Sequence, residues 1–199
     1  MTRSLTPPRT SRPGTPHSAP AQRLDARVPL VFDTRELGRR PGSLRTVVRV
    51  VPAPEHLGTE LLGVPAGAEV ELDLRLESVV EGVLVSGRAT AVLRGECGRC
   101  LDPVTDTLTV PLQELYAYEG SELGDDDAAS MIGDLLDLEP ALRDAVVLAL
   151  PLTPLCDPDC AGLCAGCGER LDELPDDHGH TAPDPRWGAL AALRTPTQD

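Results

Sequence analysis

Alternating apolar and polar residues predict strands in the first two thirds of the chain. Apolar side chains occupy every second position from Val70 to Leu76 and charged residues lie between them, a period of two typical of a strand with one buried face. The same pattern predicts strands at 44–51, 83–94 and 104–118. Residues 25–118 are therefore expected to form an antiparallel, β-rich unit of four or more strands.

A spacing near 3.6 residues replaces this alternation after residue 134. Asp137 is placed to cap a helix, Pro140 is tolerated in a first helical turn, and Pro151 ends the pattern. We predict a helix over 135–151 that covers the apolar face of the sheet.

The other segments predict connections and appendages around one domain, residues 25–194. Residues 1–24 are rich in Pro, Ser, Thr and Arg, a composition that predicts a disordered basic arm. The remaining predicted segments are an acidic solvated loop at 119–134, a cysteine-rich loop at 152–175, a short C-terminal helix at 184–194 and a disordered tail at 195–199. The predicted fold class is α+β, an antiparallel sheet or partial barrel with a covering helix.

Composition and charge narrow the classes of function. Aromatic residues make up 2% of the chain, so a sheet that stacks aromatic rings on RNA bases is excluded. Residues 1–50 carry ten Arg against three acidic residues, whereas residues 51–199 carry eight Arg against 29. An acidic body repels phosphate backbones, so RNA contact is expected only through the basic arm.

The chain shows no targeting or membrane signal. Residues 1–26 lack the apolar stretch of roughly 7 to 15 residues found in secretory signals, and no segment reaches the roughly 18 to 20 apolar residues of a membrane span. We therefore expect a cytoplasmic protein, in which cysteines act as metal-binding thiolates more readily than as disulfides.

Six cysteines carry the candidate chemistry. They are Cys97, Cys100, Cys156, Cys160, Cys164 and Cys167, and they include two CxxC pairs. Zn²⁺ prefers four such ligands in a tetrahedron, and four cysteines leave no position for a reactive water, so we predict a structural zinc site. No catalytic triad, phosphate-binding loop or paired carboxylates can be placed, so no enzymatic activity is predicted.

The sequence leaves the partition of the six sulfurs open. Cys97 and Cys100 could share an ion with Cys164 and Cys167, or with Cys156 and Cys160, or the last four cysteines could form a local site. We favour a site that bridges the two distant segments, because it closes a long loop in a protein with a small core. Disulfides, a redox-active CxxC and an iron–sulfur cluster are the alternative interpretations.

Two histidines follow the last cysteine. His178 and His180 lie in a strongly polar segment, where paired histidines are usually exposed side chains. The alternative is that they complete a second metal site with the two sulfurs that the first site leaves over.

Four motifs between residues 30 and 193 occur in combination. They are the start at Leu30 to Asp33, the segment Cys97-Gly-Arg-Cys100-Leu-Asp-Pro-Val104, the Asp-Leu-Glu-Pro helix that ends in Leu150-Pro151-Leu152, and the terminal Asp184-Pro-Arg-Trp-Gly-Ala-Leu190. The combination resembles the YceD-like family, the bacterial large ribosomal RNA subunit accumulation proteins. The long basic arm departs from that family's pattern.

The resemblance implies a cytoplasmic, non-catalytic factor that supports accumulation of the large-subunit (23S) ribosomal RNA and ribosome assembly. The acidic body adds an expectation about partners: a basic ribosomal protein or assembly factor, or a precursor large-subunit particle, with RNA contact through the arm. No small-molecule substrate is expected. The alternative functions are a zinc-stapled adaptor or regulator unconnected with ribosomes, and a thiol redox sensor.

Overall fold

The structure is a computed structural model that describes residues 24–121, 128–180 and 186. The predicted arm up to residue 23, the predicted helix at 184–194 except Arg186, and the predicted tail at 195–199 lie outside the described residues. The strands are β1 (Val31–Asp33), β2 (Leu44–Pro52), β3 (Leu57–Gly58), β4 (Leu62–Val64), β5 (Glu69–Ser78), β6 (Gly82–Glu96), β7 (Pro103–Ala117), β8 (Ala129–Ser130) and β9 (Leu135–Asp137). The helix α1 spans Glu139–Ala149, and a short 3-10 turn lies at Leu171–Glu173.

Most of the strands form one seven-stranded sheet, which confirms the expected antiparallel, β-rich architecture. β6 pairs with β7 along its whole length, from Gly82 opposite Ala117 to Glu96 opposite Pro103. Its other edge is therefore shared by β5 and β4, and β2 pairs with β5 beyond them. β6 therefore pairs with three other strands, and the turn of the long β6–β7 hairpin lies between Glu96 and Pro103.

The period-two pattern places the main core on one face of this sheet. Val70, Leu72, Leu74 and Leu76 of β5 are all buried, while the alternating residues between them are more exposed. α1 packs against this core through Leu142 and Val146, which are buried, and it contacts β7 and β3. The expected covering helix is thus present.

The predicted start of this helix, residue 135, is wrong. Residues 135–137 form β9, which pairs antiparallel with β1 so that Leu136 lies opposite Phe32. Leu136 and Leu138 are both fully buried, and this two-residue spacing suits a strand. The helix begins only at Glu139, whose backbone N–H donates to the Asp137 carboxylate over 2.9 Å.

The acidic loop predicted at 119–134 is wrong for its second half. Residues 122–127 lie outside the described residues, but Ala129 and Ser130 form β8, which pairs parallel with the end of β7. Met131 beside it is buried in the core. A two-residue strand is too short to produce a periodic pattern, so it could not be predicted from the sequence.

No helix within residues 24–121 and 128–180 combines the length and the apolar character that crossing a lipid bilayer requires.

Candidate metal centres

The turn between β6 and β7 carries the first two cysteines. The Cys97 N–H donates to the Asp102 carbonyl over 2.7 Å, and the Leu101 N–H donates back to the Cys97 carbonyl over 3.0 Å. Leu101 adopts the left-handed conformation, with φ at 64°. The Arg99 N–H points at the Cys97 Sγ over 3.4 Å, the contact by which metal-binding turns stabilise a thiolate.

Cys156 and Cys160 approach this turn after the chain leaves α1. The Cys97 Sγ lies 3.8 Å from the Cys160 Sγ, and the Cys100 Sγ lies 3.5 Å from the Cys156 Sγ. All four sulfurs lie within 4.8 Å of one another. We call these four residues the first cluster.

Three hydrogen bonds tie the two segments of the first cluster together. The Gly98 N–H donates to the Pro154 carbonyl over 2.8 Å, and the Leu163 N–H donates to the Arg99 carbonyl over 3.1 Å. The Arg99 guanidinium donates to the Cys160 carbonyl over 2.8 Å. The fold itself therefore brings remote cysteines to one point.

The first cluster is mostly buried. Cys156 is exposed, whereas Cys97, Cys100 and Cys160 are buried. These three form a small cluster separate from the main core, with Leu155 and Leu163 packed against it. Burial excludes water from the sulfurs and limits access of chelators and oxidants to them.

The thiols of the first cluster differ in acidity. Backbone N–H groups, first that of Cys100, lower the pKa of the Cys97 thiol to about 6. The N–H of Asp102 acts in the same direction on Cys100, but burial and the neighbouring thiols prevail and raise the pKa of Cys100 to about 12. Cation binding must therefore displace protons from the cluster, which makes the affinity for a metal dependent on pH.

The sequence left three groupings of the six cysteines open. The structure shows the one that joins Cys97 and Cys100 to Cys156 and Cys160. Cys164 and Cys167 lie instead beside His178 and His180, and their four ligand atoms are again within 4.8 Å of one another. We call this group the second cluster. The sequence identified its residues but favoured exposure for the histidines; His178 is in fact half-buried and His180 exposed.

The segment that contains both clusters has an acidic surface. Residues 151–180 hold seven acidic residues against one basic residue, Arg170. Arg170 forms ion pairs with Asp102 and Asp172 and thereby links the segment to the β6–β7 turn. Arg170 also pairs with Glu173, and the other five acidic residues of the segment are exposed and outside these ion pairs. One of them, Asp157, accepts the Asp159 N–H, and the other four are Asp159, Glu169, Asp176 and Asp177. We call these four the acidic patch.

Comparison with known proteins finds a family model described as "Large ribosomal RNA subunit accumulation protein YceD", which matches residues 85–194. An uncharacterized protein of Mycobacterium tuberculosis is 43% identical over 92% of this chain and 89% of its own length. One of Mycobacterium leprae is 42% identical over 84% of this chain and 79% of its own length.

A chloroplastic YCED homolog of Arabidopsis thaliana, also described as a large ribosomal RNA subunit accumulation protein, is 35% identical over 32% of this chain and 20% of its own length. No solved structure matches the chain.

Proposed function

The chain belongs to the family of large ribosomal RNA subunit accumulation proteins, and we propose that it supports accumulation of 23S ribosomal RNA as a non-enzymatic assembly factor in the cytoplasm. The observation that carries this proposal is the extent of the family match. It runs from near the start of β6 past the last cysteine and so includes the β6–β7 turn, α1 and both clusters.

We propose that the first cluster holds a structural Zn²⁺ ion. A tetrahedral zinc with Zn–S bonds of about 2.3 Å requires sulfurs about 3.8 Å apart. The distances of 3.8 and 3.5 Å between sulfurs that face each other across the cluster fit this requirement. Four thiolates would complete the coordination shell, so the ion would fix the cysteine-rich segment to the hairpin and expose no reactive position.

The acidic patch supports a basic protein as the partner. A zinc ion with four thiolates carries a net charge of about −2 and adds to the negative potential of the surrounding carboxylates. Such a surface repels RNA phosphates and attracts the Lys- and Arg-rich surface of a ribosomal protein. The arm at 1–24, with four Arg and no acidic residue, is the segment suited to RNA contact.

A complementation experiment tests the role in ribosomal RNA accumulation. In a host strain without its own copy of the gene, the wild-type chain should restore the ratio of 23S to 16S ribosomal RNA and should sediment with precursor large-subunit particles. The Cys156→Ser variant, which removes an exposed ligand of the first cluster and leaves the main core intact, should restore less. A normal ratio without the gene, with the protein in particle-free fractions, would favour an adaptor unconnected with ribosomes.

A pair of charge variants tests the partner proposal. Changing the four residues of the acidic patch to their amides should lower co-sedimentation with the particles several-fold. The matched control removes the same charge from four exposed glutamates outside the segment, Glu60, Glu69, Glu71 and Glu81, and should bind as the wild type does. Equal losses in both variants would show that net charge, and not this surface, governs binding.

The competing redox-sensor function has its own readout. In the metal-loaded protein, a structural zinc predicts thiols that alkylate slowly, because metal-bound and buried sulfurs react poorly. Rapid alkylation of Cys97 and Cys100 with zinc present would favour a sensor.

A further inference from the structure

The metal-binding turn of the first cluster is built a second time around Cys164. In both turns the first cysteine donates its N–H to the carbonyl five residues later, Asp102 over 2.7 Å and Glu169 over 2.8 Å. In both, the residue four positions later donates its N–H to the carbonyl of the first cysteine, Leu101 over 3.0 Å and Gly168 over 2.8 Å. The N–H two positions later points at the first sulfur over 3.4 Å in each case, from Arg99 and from Gly166.

The conformation and the flanks of the two turns also agree. The residue after the second cysteine is left-handed in both, with φ at 64° for Leu101 and 79° for Gly168. The flanking residues pair antiparallel in both, Glu96 with Pro103 and Leu163 with Arg170.

Two imidazole rings complete the second cluster, in the place where the first cluster has Cys156 and Cys160. The Cys167 Sγ lies 3.6 Å from the His178 Nε2. Bonds of about 2.3 Å to sulfur and about 2.0 Å to nitrogen put those atoms about 3.5 Å apart in a tetrahedral zinc site, close to the observed distance. The rings of His178 and His180 are nearly perpendicular, at 85°, with centroids 4.9 Å apart. This arrangement lets both rings reach one point without overlapping.

The position of His180 depends on the absence of a side chain at residue 166. A Cβ atom built on Gly166 would lie 2.2 Å from the His180 Cδ2 and 2.7 Å from its Nε2. The imidazole ring therefore lies directly on the Gly166 backbone, where it faces the two sulfurs.

From this repeated turn and its convergent rings we propose that Cys164, Cys167, His178 and His180 bind a second Zn²⁺ ion. Two thiolates would neutralise the charge of the ion, whereas four thiolates leave the first cluster negative. Cys167 and His180 are exposed and Cys164 and His178 are half-buried, in contrast to the three buried ligands of the first cluster. The second ion is therefore the one that exchanges with solvent and with chelators first.

Metal analysis of the purified full-length chain tests this proposal. The wild type should contain two zinc ions per chain, and the variant with His178→Ala and His180→Ala should contain one. The His56→Asn variant is the matched control, because His56 is exposed, lies outside both clusters and has a φ of 55° that asparagine tolerates well; it should retain both ions. One ion in the wild type, or two in the double-histidine variant, would overturn the proposal.

Cobalt spectra separate the two clusters and the two proposals. With Co²⁺ in place of zinc, the Cys156→Ser variant should hold one ion with the absorption of mixed thiolate and imidazole ligation. The double-histidine variant should hold one ion with four-thiolate absorption. Absence of bound cobalt from the Cys156→Ser variant, with four-thiolate absorption in the double-histidine variant, would overturn the second site and leave the proposed ribosomal role and the first cluster untouched. The His178→Cys variant keeps a metal ligand at this position and should bind the second ion. This result would show that the alanine variant loses the ion because a ligand is missing, and not because the segment fails to fold.

Discussion

Single residues decide how closely the ligands of the two clusters approach. The left-handed position of each metal-binding turn is held by Leu101 in one and by Gly168 in the other. Leucine in this region costs roughly 1 kcal/mol or more, whereas glycine adopts it freely. The first turn tolerates leucine because the long β6–β7 hairpin fixes its geometry, while the second turn, with only a single flanking bridge, has glycine there.

Gly166→Ala should remove the second ion. The new Cβ would overlap the His180 ring, which must rotate away from the two sulfurs and so no longer acts as a ligand. Metal analysis should therefore give about one zinc per chain in place of two. Gly179→Ala is the control within the same segment, because its Cβ would meet no atom closer than 4.0 Å, and it should keep both ions. Loss of zinc from both variants would show that the segment tolerates no added methyl group.

The residue identities of the clusters could be predicted from the sequence, but their grouping could not. The six cysteines and His178 with His180 stand out by type and spacing. Which sulfurs share a point depends on contacts between remote segments, such as the Gly98 N–H to the Pro154 carbonyl, and no local pattern encodes these. The presence of two histidines shortly after the last CxxC pair, with His178 11 residues beyond Cys167, was the one signal for the second cluster.

At the level of elements, long strands could be predicted and short ones could not. β5, β6 and β7 are 10, 15 and 15 residues long, enough for an alternating pattern to be read directly. β1, β8 and β9 have only two or three residues and exist because they pair with distant partners. For β9 this pairing overrode the helical spacing that continues into α1, so the predicted helix began four residues too early.

The covering helix allows a matched test of its packing. Leu142→Ala should destabilise the protein by about 2 to 5 kcal/mol, because Leu142 is fully buried between α1 and the sheet. Leu148→Ala makes the same change in the same helix, at a side chain that is 85% exposed, and should alter stability by less than about 0.5 kcal/mol. Urea unfolding of the zinc-loaded proteins measures the difference. Similar midpoints for the two variants would show that α1 does not cover the core in solution.

For the whole molecule, the acidic patch and the candidate metal ligands lie in the same segment, which has little hydrophobic core of its own. The main core is built almost entirely from aliphatic side chains, with Phe32 and Tyr116 as its buried aromatic residues among those described. The segment that carries the acidic patch has few apolar residues of its own and packs only a small separate cluster. Metal coordination can hold such a segment in place where hydrophobic burial does not suffice.

Removal of metal should therefore affect stability in two steps. A chelator should first extract the ion of the exposed second cluster and, more slowly, the ion of the buried first cluster. A ligand present at a thousand times its dissociation constant stabilises a fold by about 4 kcal/mol. For a domain of this size, loss of that contribution corresponds to a fall of roughly 10 °C in the unfolding temperature.

Calorimetry with and without chelator measures this effect, and the variants separate its origins. The double-histidine variant should show only the slow step, and Cys156→Ser only the fast one, because each lacks one of the two ions. A variant that combines these changes should unfold at the same temperature whether or not chelator is present. If the chelator still lowered its unfolding temperature, the stabilising metal would be held by other residues. If the wild type did not respond at all, the cysteine-rich segment would be held in place without metal, by contacts such as the ion pair between Arg170 and Asp102.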